Sequence, residues 1–240
     1  MKIHKYDSYS DLSLATAELI ADIISDKPDS LLCFPAGETS IGTFKELIRL
    51  NKERQISFSK CRIVGLDEWV GLGEMRSENC FSFLKKHFFD HIDLSSERMC
   101  FFNSESSDLQ HEVEETDNFI KEYSPIDMIL LGAGMNGHLG LNEPGSSFDL
   151  CSHLVELDNT TKSTGQKYFS GKVKLSRGIT IGLKQILESK TAILQLSGKH
   201  KALVAGRMLK DEVSVRFPAS ALKLHQNSYL MIDKDAATGE

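Results

Sequence analysis

Apolar residues fall along this chain in two rhythms. Leu12, Leu14, Ala17, Leu19, Ile20 and Ile23 recur at near-helical spacing, which predicts an amphipathic helix over Ser10 to Ile24, ended before Asp26-Lys27-Pro28. Short apolar runs make the second rhythm. Ser30 to Phe34, Arg62 to Leu66, Met99 to Phe102, Ile126 to Leu131, Ile179 to Ile181, Ala192 to Leu196 and Ser228 to Ile232 read as strands, and His153 to Leu157 alternates like one. Helical segments fall between them, at Ile41 to Leu50, Ser77 to Asp90, Asp108 to Tyr123, Leu183 to Ser189 and Ala202 to Lys210. Strands alternating with helices predict an α/β fold: a single domain over 1–240 with a central, mostly parallel sheet and helices on both faces. The tail from Asp233 to Glu240 is polar and reads as frayed.

Polar residues gather where the strands end. Gly132, Gly134 and Gly137 close the run Ile126 to Leu131, and His138, Asn142 and Glu143 come straight after. Glycines let a backbone turn tightly and lie close to a ligand. By itself the pattern fits either an acid–base pair at a strand's carboxyl end or a plain loop with a satisfied histidine. Pro35-Ala36-Gly37-Glu38-Thr39-Ser40 leads from a strand into a helix. Free backbone N–H groups and the positive end of the helix dipole make such a turn an anion site, although Thr39 or Ser40 serves equally as a cap. Asp67, in Asp67-Glu68-Trp69, stands at the end of another strand, placed for catalysis or for capping the next segment. Ser197-Gly198-Lys199-His200-Lys201 is a second strand–turn–helix, either an anion site or a solvated basic helix start. Asp158 to Gly171 is polar, carries Lys162 and Lys167, and reads as a lid at 158–171. In open parallel sheets the strand ends share one crevice, so these groups would hold an anion at one end and an acid–base set at the other.

Composition narrows the field. A net charge of -6 over 240 residues argues against a phosphate-backbone reader. No segment has the apolar length to span a bilayer, and MKIHKYDSYSDLSL lacks the apolar core of a signal peptide. The five cysteines are odd in number, without a C-x-x-C pair, and Cys33, Cys61 and Cys100 lie in or beside apolar runs. Free thiols in a reducing cytoplasm are expected, with no metal site.

Several ordered motifs carry a resemblance. Pro-Ala-Gly-Glu-Thr-Ser at 35–40, Leu-Asp-Glu-Trp-Val-Gly-Leu at 66–72, Gly-Ala-Gly-Met-Asn-Gly-His-Leu-Gly-Leu-Asn-Glu-Pro-Gly at 132–145, Ser-Gly-Lys-His-Lys-Ala-Leu at 197–203 and Phe-Pro-Ala-Ser-Ala-Leu-Lys-Leu-His at 217–225 resemble the glucosamine-6-phosphate deaminase/isomerase family, over Tyr6 to Ile232. Leu-Asp-Glu-Trp-Val, the Gly-His-Leu-Gly-Leu-Asn-Glu-Pro-Gly segment and Arg-Gly-Ile-Thr-Ile-Gly-Leu-Lys at 177–184 look most like its bacterial galactosamine-6-phosphate branch. Phe-Pro-Ala-Ser-Ala-Leu looks equally like short bacterial glucosamine-6-phosphate deaminases. The resemblance implies a Rossmann-like fold without a dinucleotide, no cofactor, and conversion of a hexosamine 6-phosphate to a ketohexose 6-phosphate plus ammonia. It makes Asp67 the base that moves a proton between C2 and C1, His138 the group that opens the ring at O5, and Glu143 the carboxylate that orients it. Asn136 stands where many members have aspartate and is expected to hold the imidazole without adding charge. Gly37, Glu38, Thr39, Lys167 and Lys201 fall in the phosphate-contact part, Lys167 where many members have arginine, which loses the bidentate fork. An effector site in some members uses arginines after Asn-Glu-Pro, and Ser147 to His153 has none.

This chemistry suits the residue types. A proton shuttle needs one carboxylate ionised at rest, which the ordinary value of ~3.9 allows Asp67, and ring opening needs a group that exchanges protons near neutral pH. The expected partner is a small sugar phosphate, with neither nucleic acid nor membrane. A 6-phosphogluconolactonase shares the glycine–histidine turn but follows it with Phe-Pro, whereas Leu141-Asn142-Glu143-Pro144 stands here. A sugar-phosphate sensor would carry a DNA-binding segment and a basic patch, and neither is visible.

Overall fold

In the computed structural model, which describes residues 1–72 and 77–239, seven strands form one parallel sheet. They are β1 (Lys2–Tyr6), β2 (Leu31–Phe34), β3 (Arg62–Gly65), β5 (Met99–Cys100), β6 (Met128–Gly132), β9 (Ala192–Leu196) and β10 (Ser228–Asp233), in the order β1-β10-β9-β6-β2-β3-β5. The strands β4 (Asp67–Val70), β7 (His153–Glu156) and β8 (Arg177–Thr180) form a second, antiparallel sheet in the order β4-β8-β7.

The apolar runs belong to strands covered on both faces. Along β2, Leu31 and Cys33 pack with Val113 and Ile120 of α4 (Leu109–Tyr123), Ile186 of α6 (Leu183–Glu188) and Met208 of α7 (Ala202–Lys210). Leu32 and Phe34 point the other way, onto Ile20 of α1 (Tyr9–Asp26), Leu47 of α2 (Ile41–Lys52) and Leu84 of α3 (Cys80–His87). Each such side chain removed from water contributes ~1.5–3 kcal/mol, which holds the sheet between two helical layers. Helix starts follow local rules: Ser8 accepts from the Asp11 amide, Asn79 from Ser82 and Asp108 from His111.

Two readings of the sequence need correction and a third needs extension. The chain begins in a strand. β1 has no apolar run, because as an edge strand it is held by backbone pairing to β10 and leaves most side chains exposed. The tail to Gly239 does not fray: the buried carboxylate of Asp233 accepts from the Ala236 amide at 2.8 Å, and Ala236 is fully buried (Glu240 lies outside the described residues). Asp67 stands just past the end of β3, as read, but it also opens a further strand that was not read. β3 stops at Gly65, and Asp67 opens β4 in the small sheet. Two carboxylates in Asp67-Glu68-Trp69-Val70 are incompatible with a central parallel strand, which needs apolar residues on both faces.

All five cysteines are free. Cys33, Cys61 and Cys80 are buried, while Cys100 and Cys151 are partly exposed. No group of three metal-ligating side chains occurs among the described residues, and no helix of theirs is long and apolar enough to cross a membrane.

Candidate active site

The chain segments that follow β2, β3, β6 and β9 open into one cavity of about 510 Å³. Asp67, His138, Gly37, Glu38, Thr39, Lys167 and Lys201 all line it, so residues up to 164 positions apart in sequence meet there, as expected at the carboxyl edge of a parallel sheet. Asn136 and Glu143 stand behind His138 and do not line it.

His138 owes its place to two glycines. At Gly134 a Cβ would sit 2.3 Å from His138 Nε2, so that edge of the ring lies against bare backbone. Gly137 has φ +86°, and a Cβ there would strike Phe217 at 2.0 Å. Gly132 and Gly37 differ: a Cβ at either would meet no atom within 4 Å, so both face open cavity.

Behind the ring is a closed polar set. His138 Nδ1 lies 3.3 Å from Glu143 Oε2 and 3.0 Å from Thr161 Oγ1. Asn136 Nδ2 donates to Glu143 Oε2 at 2.8 Å, Thr161 Oγ1 at 3.3 Å and Asp158 Oδ1 at 3.5 Å. Its Oδ1 accepts from the His138 amide at 3.2 Å, so Asn136 touches the backbone of His138 and not its ring. The expected bond to the imidazole is absent because the amide group is claimed by two carboxylates. The Asp158 amide donates to Glu143 Oε1 at 3.2 Å. Burial opposes ionisation of Glu143, but hydrogen bonds from His138, Thr161 and Asn136, together with the His138 charge, outweigh it and hold its carboxyl below the ordinary range.

Asp67 lines the same cavity. Burial, with the neighbouring Glu68 charge, pushes its carboxyl up to about 7. The free protein therefore does not hold Asp67 fully ionised at neutral pH, contrary to what an ordinary carboxylate implies. Glu68 is buried in a structural role. It accepts from the amides of Trp69 (2.8 Å), Cys80 (2.9 Å) and Phe81 (3.1 Å), tying β4 to the start of α3.

The other end of the cavity is built for an anion. A 3₁₀ turn at Glu38–Ser40 runs into α2, and another at Lys199–Lys201 runs into α7. Both present helix-start amides at the cavity wall. Lys201 donates to the Ala133 carbonyl at 2.7 Å, and burial with the nearby Lys167 charge lowers its ammonium to about 8. Lys167 pairs with Glu38 at 3.0 Å, both side chains being more than half exposed. The Glu38 side chain would repel a phosphate, so only its backbone suits one. The Gly198 amide is fixed by Asp233 at 3.1 Å, which links the chain's last strand to the anion end.

The segment read as a lid folds as α5 (Asn159–Gly165) and a 3₁₀ turn at Gln166–Tyr168. It carries Lys167 at the anion end and Thr161 at the histidine end. Phe169 packs against Trp69, and the Ser170 amide bonds Glu78 at 2.7 Å. Thr161 was not legible as a site residue, because Thr160-Thr161 in a polar stretch has no pattern that separates a buried hydroxyl from a solvated one.

The sequence profile of the family described as glucosamine-6-phosphate isomerases/6-phosphogluconolactonase matches residues 5–231. The chain belongs to that family. It is 39% identical to a glucosamine-6-phosphate deaminase of Bacillus pumilus and 36% identical to glucosamine-6-phosphate deaminase 1 of Bacillus subtilis, in each case over 99% of both chains. A solved monomeric glucosamine-6-phosphate deaminase, described as a missing link of the NagB superfamily, superposes with a TM-score of 0.95 at 36% identity over 100% of both chains. The 6-phosphogluconolactonase of Trypanosoma brucei shares the fold, with a TM-score of 0.77 at 18% identity over 98% of this chain and 97% of its own.

Proposed function

We propose that this protein is a hexosamine-6-phosphate deaminase/isomerase that converts glucosamine 6-phosphate and water to fructose 6-phosphate and ammonia. The observation that carries this reading is one cavity with a carboxylate and a carboxylate-backed histidine at one end and two helix starts with two lysines at the other. Its volume is of the size that takes a small polar ligand. The names of the full-length relatives favour the gluco epimer.

In this reading Lys201, Lys167 and the amides of Gly37, Glu38 and Thr39 bind the 6-phosphate. His138 moves a proton to O5 as the ring opens, with Glu143 stabilising the imidazolium. Asp67 takes the C2 proton and returns it at C1, leaving an imine at C2. Water adds to that carbon and ammonia leaves. The substrate's ammonium brings a positive charge into the cavity, which favours the ionised form of Asp67 that the free protein disfavours. Residues 158–171 act as the lid, whose opening would break the exposed Lys167–Glu38 pair.

Ammonia release tests the assignment. Purified protein is expected to release ammonia from glucosamine 6-phosphate in a coupled assay. No release from either glucosamine or galactosamine 6-phosphate, with hydrolysis of 6-phosphogluconolactone, would overturn it. The segments Leu66 to Val70 and Arg177 to Lys184 favour a second reading, in which galactosamine 6-phosphate gives tagatose 6-phosphate. The ratio of kcat/KM for the two epimers decides between them.

A further inference from the structure

We propose that Thr161 is a positioning residue that holds His138 in the tautomer with its proton on Nδ1, and that α5 thereby ties the anion end of the cavity to the acid–base end. The proposal rests on the deaminase reading for its kinetic consequence but not for its geometry.

The Asn136 amide group has one orientation in this set. Its Nδ2 lies 2.8 Å from one carboxylate and 3.5 Å from another, and its Oδ1 faces the His138 amide, so that orientation is settled. Nδ2 is then the donor to Thr161 Oγ1 as well. Glu143, a carboxylate held below the ordinary range, can only accept from Nδ1, which lies 3.3 Å away, so Nδ1 carries the proton. Thr161 Oγ1, 3.0 Å from Nδ1, is then the nearer of the two acceptors that share that proton. Nε2, against Gly134 on the cavity side, is then bare and able to accept a proton from the sugar before passing one to O5.

Thr161 is only 2% exposed, so its hydroxyl has no solvent to turn to. Its helix also leads directly into the turn that carries Lys167. Substrate phosphate at Lys167 would therefore hold α5 in the place that orients His138, spending remote binding energy at the reacting centre.

The test compares Thr161→Val, which keeps the volume and removes the hydroxyl, with Thr161→Ser, which keeps the hydroxyl and loses the methyl. Kinetics with glucosamine 6-phosphate are read beside ¹⁵N–¹H correlation spectra of the histidine ring nitrogens, with His138 identified by its loss in His138→Gln. Wild-type His138 should carry its proton on Nδ1. Thr161→Val should give mixed tautomers and a kcat about tenfold lower at a KM within about twofold, while Thr161→Ser stays within about threefold of wild type. A purely packing role predicts the reverse order of the two variants. Wild-type kcat in Thr161→Val, equal loss in Thr161→Ser, or a wild-type proton on Nε2 would each overturn the proposal. If Thr161→Val does not fold, the wild-type spectrum and Thr161→Ser still decide. If wild-type protein releases no ammonia, the deaminase reading fails while the spectra still judge Thr161.

Discussion

Asn136 donates a 2.8 Å hydrogen bond to Glu143 and makes none to the imidazole of His138. The asparagine therefore acts on the histidine through the carboxylate that backs it, and through the loop backbone. Asn136→Asp replaces a donor by a third carboxylate beside Glu143 and Asp158. The crowded carboxylates then titrate above the ordinary range in the folded state, so stability is intact at low pH and falls as pH rises through that range. We expect a loss on the order of 1–2 kcal/mol at pH 8 that is absent at pH 4, with the pH–rate profile for kcat/KM moved to higher pH by the added negative charge. Urea unfolding at the two pH values, beside the pH–rate profile, checks both. A loss independent of pH would leave Asn136 as a turn residue.

Asp67 makes a separate pH statement. With its carboxyl at about 7, kcat/KM should fall roughly tenfold per unit below that pH, since only the ionised form accepts a proton. Asp67→Asn should lower kcat by a factor on the order of 10³ or more, with KM little changed. The same raised value means that ionised Asp67 costs stability: the cost is absent below the ordinary carboxylate range and is felt in full as pH rises through about 7. The asparagine variant should thus be more stable than wild type at pH 8, on the order of 1–2 kcal/mol after allowance for water in the cavity, and no more stable at pH 4. A profile flat from pH 5 to 7 would remove Asp67 from the role.

Lys201 should govern phosphate affinity. Its ammonium, lowered to about 8, is charged at neutral pH and loses its proton just above it. KM should therefore climb as pH passes about 8. Lys201→Met should raise KM about tenfold or more and change kcat less. Wild-type KM in this variant would refute the contact.

His225 predicts how the fold itself responds to acid. It is 4% exposed, accepts the Asn227 amide on Nδ1 at 2.9 Å and lies 3.1 Å from Ser189 Oγ through Nε2. Burial lowers its imidazole, against an interaction with the Ser189 backbone, and protonation would break the Asn227 contact. For a histidine depressed in the folded state, the unfolded chain takes up the proton first. Its contribution is whole above ~6.5 and is lost as pH falls from there toward the folded value. Urea midpoints from pH 7.5 to 5 should show this decline in wild type and a shallower one in His225→Asn. Equal slopes would exclude it.

Ser147 to His153 carries no arginine to clasp an anionic effector. Initial rates against glucosamine 6-phosphate should be hyperbolic, and N-acetylglucosamine 6-phosphate should not activate. A sigmoidal curve straightened by that compound would contradict the expectation.

Much of this protein was legible along the chain. Runs such as Leu31 to Phe34 and Ala192 to Leu196 are apolar at every step or at every step but one, and only a strand buried on both faces needs that, so a parallel sheet between helices followed from local pattern. Gly134 and Gly137 before His138, and the turns at 37–40 and 198–201, marked where the backbone must bend or leave amides free. Tertiary structure decided the rest, because it depends on distance through space. It placed Asp67 in a second sheet and in a desolvated wall, which moves its carboxyl far from the ordinary value. It turned Asn136 toward Glu143, set β1 on the sheet by backbone pairing that leaves no apolar trace, held the tail through the Asp233 carboxylate, and brought Thr161 against a histidine 23 residues away. Spacing along a chain reports which face of its own element a side chain occupies; it carries no record of the partner that a different element brings to that face.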